Sequence, residues 1–147
     1  MKEKETYLFI LAISFCLIYI FFSACALAFI KEPDGFNDIR WGTRIDALKD
    51  MEYMFDRDAS GDIKVYKRAG DLEIFGGAKI DSIEYDFFRG TFVSVKLKIK
   101  DLYNFVIMKN FLFKEYGPKE PMSDILETFV WNGDKSKIVL YSNYEIS

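Results

Sequence analysis

An α+β domain behind an apolar N-terminal segment is the fold class this sequence predicts, and three observations carry it. Residues 6–30 contain no Asp, Glu, Lys or Arg. Beyond them, runs of alternating apolar and polar residues are joined by turns rich in Gly, Asn and Asp, as antiparallel strands require. Two further stretches, one opening at Thr43 and one at Asp101, space their apolar residues by three and four, as amphipathic helices do. The expected order is β-α-β-β-β-β-α-β-β, a curved antiparallel sheet of about six to seven strands with both helices on one face.

The N-terminal run is long enough for a bilayer, which needs about 20 apolar residues. Two readings are open. Ala24-Cys25-Ala26 and Ala26-Leu27-Ala28 each supply the small residues of a signal-peptidase site. Alternatively the run is an uncleaved anchor, because it exceeds the usual apolar core of a signal peptide. The flank does not decide, since Lys2 and Lys4 are offset by Glu3 and Glu5. Phe22-Ser23-Ala24-Cys25 loosely resembles a bacterial lipobox, with Phe where Leu is usual, so lipidation at Cys25 is a third option. All three place the rest of the chain outside the cytoplasm. The expected division is 1–30 as signal peptide or anchor, 31–35 as linker with Pro33 and Gly35 as breakers, and 36–147 as a single α+β domain.

Composition excludes several chemistries. None of the 147 residues is histidine, and both cysteines, Cys16 and Cys25, lie in the apolar run. Ser-His-Asp triads, Cys-His dyads and His-ligated zinc are therefore ruled out, and the domain has no disulfide to staple it. A formal net charge of −3 without a basic tail argues against nucleic acid, whose affinity comes from neutralising phosphates.

Element by element, a short strand is expected at Asp38–Trp41, then Gly42 as a turn and Thr43 as the cap of a helix carrying Ile45, Leu48, Met51 and Phe55 on one side. Asp56–Asp62 reads as a polar turn, Ile63–Lys67 as a strand, and Leu72–Phe75 as a short strand ended by Gly76-Gly77. The next two strands form a long hairpin. Ile83, Tyr85 and Phe87 share one face, as do Val93, Val95, Leu97 and Ile99 on the return. All seven positions are odd, and paired residues share a face, so regular pairing predicts a three-residue loop at 89–91 with Glu84 opposite Lys96 and Phe88 opposite Phe92. Ile80 breaks the parity, which predicts a bulge near Asp81-Ser82. Asp101 caps the second helix, Gly117 ends it, and strands at 126–131 and 137–142 follow around Asn132-Gly133-Asp134. A last short edge is expected at 144–146.

Three groups of residues are candidates for function. Asp56, Asp58, Ser60 and Asp62 stand with Gly61 and Ile63 as oxygens, glycine and apolar residue stand in an EF-type calcium loop. The final ligand, which should be Glu, is Lys67, and the same composition is what an ordinary polar turn uses, so the turn is the simpler reading. Asp81, Glu84 and Asp86 are the only clustered acids on the hairpin and the only basis for a carboxylate hydrolase. Their placement opposite Ser94 and Lys96 reads instead as a charge-paired sheet face. On the second helix, Leu102, Phe105, Val106, Leu112, Phe113 and Tyr116 form the expected buried face, with Lys109 at its rim. Ile107 and Phe111 fall on the far side beside Asn104, an outer apolar pair suited to contacting a partner.

The opening Phe36-x-x-Ile39-x-Trp41-Gly42-Thr43 and the run Gly76-Gly77-Ala78-x-Ile80-x-x-Ile83-x-Tyr85-x-Phe87 resemble a loose family of uncharacterised exported bacterial α+β proteins. The resemblance implies an exported domain and transfers no activity and no site residue. By architecture it is similar to small envelope lipoproteins and β-lactamase-inhibitor-like folds, which bind proteins. The expectation is a non-enzymatic envelope module, without cofactor, that binds another envelope protein or the membrane surface. A calcium-stabilised module and a carboxylate hydrolase are the alternatives.

Overall fold

The computed structural model describes residues 32–122 and 127–142. The apolar segment at 6–30 and the short edge expected at 144–146 lie outside the described residues. The chain opens with two short strands, β1 (Gly35–Phe36) and β2 (Ile39–Arg40), joined by Asn37 and Asp38, both with positive φ. A 3-10 turn at Ile45–Ala47 follows, then β3 (Met51–Asp56), β4 (Ile63–Arg68), β5 (Ile74–Phe75), β6 (Ala78–Phe88) and β7 (Thr91–Ile99). Helix α1 (Leu102–Tyr116) leads to the hairpin β8 (Thr128–Asn132) and β9 (Lys137–Tyr141).

The expected class holds at the coarse level: the described residues form antiparallel sheets with one helix. The expected first helix is absent. Gly42 N–H donates to Phe92 C=O, Phe92 N–H to Thr43 C=O, and Ile45 N–H to Gly90 C=O, so this segment is bound strand-fashion along the tip of the β6–β7 hairpin. One 3-10 turn is all that remains before β3 begins. Ile45, Leu48 and Met51 do pack into one core cluster, as their spacing suggested, but from an irregular path. Tyr53 and Phe55 then pair with Tyr66 and Val65, where aromatic and β-branched side chains suit an extended backbone.

The single curved sheet is also divided. β3, β4, β6 and β7 lie side by side, β5 adds to the start of β6 on the β4 side, and the pairs β1–β2 and β8–β9 are separate two-stranded sheets. Bulges interrupt the ladders at Met54, Asp81 and Val93. The Asp81 bulge sits where the parity break of Ile80 put it, and Glu84 does face Lys96. The loop is two residues, not three: Arg89 and Gly90 have φ 50° and 80°, the left-handed pair that a tight hairpin turn needs. The Val93 bulge absorbs the parity, so Phe87 faces Phe92, and Phe92 rather than Val93 is buried.

Two clusters form the core and share Ile80. One holds Ile83, Tyr85, Phe87 and Phe92 beneath Ile39, Trp41 and the 45–51 segment. The other holds Ala78, Phe105, Met108, Leu112, Phe129, Trp131 and Leu140, where α1 packs between the start of β6 and the β8–β9 hairpin. Each fully buried aromatic contributes about 1.5–3 kcal/mol by leaving water. Asp101 caps α1 by accepting from Asn104 N–H at 2.9 Å, and Gly117, φ 88°, ends it. The Trp131 indole donates to Gly117 C=O at 2.9 Å, which fixes the hairpin to the helix end.

Candidate functional site

An exposed apolar stretch follows from β3 being an edge strand. Among the described residues, β3 pairs only with β4. Acids in and just before it pair across that ladder: Asp50 meets Arg68 at 2.5 Å, Glu52 meets Lys67 at 3.1 Å, and Asp56 meets Lys64 at 3.1 Å. Arg68 holds the Asp50 carboxyl below its ordinary range, chiefly through that hydrogen bond. With the charges paired to β4, three consecutive large side chains stand out: Tyr53, Met54 and Phe55 are 50, 44 and 40% exposed. Lys64 lies 5.4 Å over the Tyr53 ring and Arg57 5.8 Å over the Phe55 ring, so both aromatics are held in position. A six-residue edge whose outer backbone groups are unpaired among the described residues is what a partner strand adds to.

Next to it lies an open groove. β4 parts from β6 after Tyr66 pairs with Tyr85, and β5 joins only where Ile74 pairs with Lys79. Among the described residues, the intervening part of β6 has no strand partner on that side. The groove over it is about 350 Å³ and is lined by Met54, Lys67, Leu72, Glu73, Ser82 and Glu84 among others. Its charges are mostly spent within the fold: Lys67 on Glu52, and Glu84 on Arg57.

Arg57 organises the face of the sheet opposite the aromatic cluster. Its guanidinium donates to Glu84 Oε2 at 2.7 Å and twice to Asp86 Oδ1, at 2.8 and 3.1 Å, while Ser94 Oγ donates to Asp86 Oδ2 at 3.0 Å. Asp86 is buried, and Val65 beside it is fully buried. The bonds to Asp86, then those to Glu84, raise the Arg57 pKa further against the opposing effect of burial. On the other face, the Tyr85 hydroxyl donates to Asp71 Oδ1 at 2.9 Å, and Asn37 Nδ2 donates to the same oxygen at 3.0 Å. Burial pushes the Tyr85 phenol well above its ordinary value.

The calcium-loop residues each have a partner within the fold. Asp56 turns to Lys64 and the Tyr53 hydroxyl, Asp58 accepts from Ile63 N–H at 2.9 Å and from Ser60 Oγ, and Asp62 pairs with Arg89 at 3.0 Å. The Ser60 hydroxyl foremost lowers the Asp58 pKa, and Arg89 foremost lowers that of Asp62. Among the described residues, no group of three or more acids is placed to hold a metal ion. Of the hairpin acids, Glu84 and Asp86 come together on Arg57, and Asp81 pairs separately with Lys98 at 3.2 Å.

The outer pair on the second helix needs correction. Ile107 and Phe111 are half-buried against the second core cluster, beneath the turn between β5 and β6. Phe111 meets Phe75 edge-on at 5.4 Å, and a Cβ on Gly76 would collide with the Phe111 ring. The helix is rotated from its expected setting because Asn104, placed outside by the wheel, is buried: it accepts from Lys79 N–H at 2.8 Å and donates to Asp101 at 2.8 Å. Leu102 and Val106, expected inside, are exposed. Lys109 keeps its expected rim position, reaching Glu127 at 3.3 Å and lying over the Phe129 ring.

Sequence reasoning missed the β3 edge and the Arg57 bridge. The signal for β3 was the aromatic pair Tyr53 and Phe55, masked by the helical spacing of Ile45, Leu48 and Met51. Arg57, inside a loop read for its oxygens, had no local signal. No protein-family model matches this chain, and no curated protein or solved structure was found to be similar to it.

Proposed function

We propose that this is an exported or membrane-tethered envelope protein whose folded part is a non-enzymatic binding module, engaging an extended segment of another envelope protein along β3. The observation that carries this reading is the six-residue edge, unpaired on its outer side among the described residues, with Tyr53, Met54 and Phe55 exposed while its acids are paired to β4 lysines. Backbone groups of the edge supply affinity and the exposed rings supply selectivity. Export rests on the apolar run at 6–30, which is long and charge-free enough for a targeting or anchoring segment.

The test is site-specific photo-crosslinking in the native host, with a photoreactive residue at Met54 or, as control, at the exposed Val139. A discrete adduct at position 54, absent from position 139 and abolished by Tyr53→Lys with Phe55→Lys, supports the edge. Equal adducts at both positions overturn it. Export is tested separately by the intact mass from membrane and soluble fractions, either full-length in the membrane or shortened at Ala26 or Ala28.

A further inference from the structure

Glu32 stands two residues beyond the charge-free run, in a stretch that composition alone reads as a linker. It is not loose. Its carboxylate is held by three successive backbone amides of the turn between β8 and β9. Asp134 N–H donates to Oε2 at 3.1 Å, Lys135 N–H donates to Oε1 at 2.6 Å, and Ser136 N–H donates to Oε1 as well. The turn is closed by Gly133 N–H donating to Ser136 C=O at 2.8 Å, and this curls the next amides toward one point. Successive amides converging in this way make an anion cradle. Gly133 completes it, because a Cβ there would collide with the Glu32 carboxylate. Burial raises the Glu32 carboxyl, but hydrogen bonds from Lys135, Ser136 and Asp134 lower it and leave the group below the ordinary glutamate value.

The neighbouring residues are fastened too. Pro33 C=O accepts from the Trp41 indole at 2.9 Å, and Asp34 C=O accepts from Trp41 N–H at 3.0 Å. Meanwhile β8 and β9 form no strand ladder with the main sheet. The hairpin is held by side-chain packing, by Trp131 on Gly117, and by Glu32.

We infer that Glu32 and the 133–136 turn form an anionic latch that locks the entering chain onto the terminal hairpin. The latch fixes where the preceding segment departs from the domain, and it makes the hairpin the first element to feel a pull or a cut on that segment. It stands independently of any partner at β3.

The test is amide hydrogen exchange on the full chain in detergent micelles. Glu32→Ala removes the anion, and Gly133→Ala fills its seat. Both are expected to speed exchange at Asp134, Lys135 and Ser136 by about tenfold or more, as lost bonds to a charged acceptor imply. Amides of β6 and β7 are expected to keep their wild-type rates. Glu32→Gln, which retains an acceptor oxygen, falls between. Wild-type exchange at 134–136 in both alanine variants overturns the latch. An equal acceleration in β6 and β7 also overturns it, since Glu32 would then serve overall stability and not the hairpin.

Discussion

Arg57 and Asp86 meet through two hydrogen bonds to one carboxylate oxygen, at 2.8 and 3.1 Å, on a sheet face that would otherwise bury an uncompensated charge. The Asp86 side chain is 9% exposed and that of Arg57 25%, so the pair is only partly screened by water. Arg57→Ala is expected to cost about 2–3 kcal/mol, mostly from leaving Asp86 unpaired. Adding Asp86→Ala should recover part of that loss, giving a coupling of about 1 kcal/mol or more in a double-mutant cycle by urea unfolding.

Gly76 and Gly70 separate backbone strain from crowding. Both have positive φ, 58° and 69°, but a Cβ on Gly70 meets nothing within 4 Å, whereas one on Gly76 meets the Phe111 ring. Gly70→Ala is expected to cost about 1 kcal/mol from the left-handed backbone alone. Gly76→Ala adds overpacking of about 1–3 kcal/mol. Chemical denaturation of the two variants reads the difference.

The chain has no histidine, so no side chain in the described residues has an ordinary pKa near neutrality. The melting temperature is expected to be flat from about pH 5.5 to 8. In acid the sign is fixed by Glu32, Asp50, Asp58, Asp62 and Asp101, all with lowered folded pKa values. Their contribution is complete above the unfolded carboxylate range and disappears as pH falls through the lower folded values, so stability declines below about pH 4.5. Asp101 is exposed and the other four are partly exposed, so water screens their bonds and the decline is shallow. Calorimetry across this range checks both limbs.

Millimolar calcium or a chelator is expected to leave the melting temperature unchanged, because Asp56, Asp58 and Asp62 are each committed to a different partner. A rise with calcium would mean that the loop rearranges to gather them.

What the sequence disclosed depended on the range of the interaction. Some caps and turns were legible because their causes are local: Asp101 at one end of α1, Gly117 at the other, and Asn132-Gly133 between the last strands. The face pattern of the β6–β7 hairpin was legible, but its loop was not, since a parity argument assumes an uninterrupted ladder and the Val93 bulge breaks it. The helix expected from Ile45, Leu48 and Met51 failed because spacing by three suits any path that crosses a core face repeatedly. Arg57 was invisible because its partners lie 27 and 29 positions away.

The bulges have a consequence for how this chain can vary in length. Each inserts one outward residue, Met54, Asp81 or Val93, between neighbours that already face correctly. Removing Val93 leaves Phe92 inward, Ser94 opposite Asp86 and Val95 inward, a regular alternation. Removing Asp81 leaves Ile80 inward and Ser82 opposite Lys98, and removing Met54 leaves Tyr53 and Phe55 on their present faces. A deletion inside a strand normally reverses every side chain beyond it. At these three positions it would instead straighten the ladder, so single-codon losses in the middle of strands should be survivable here, where they would destroy most sheets.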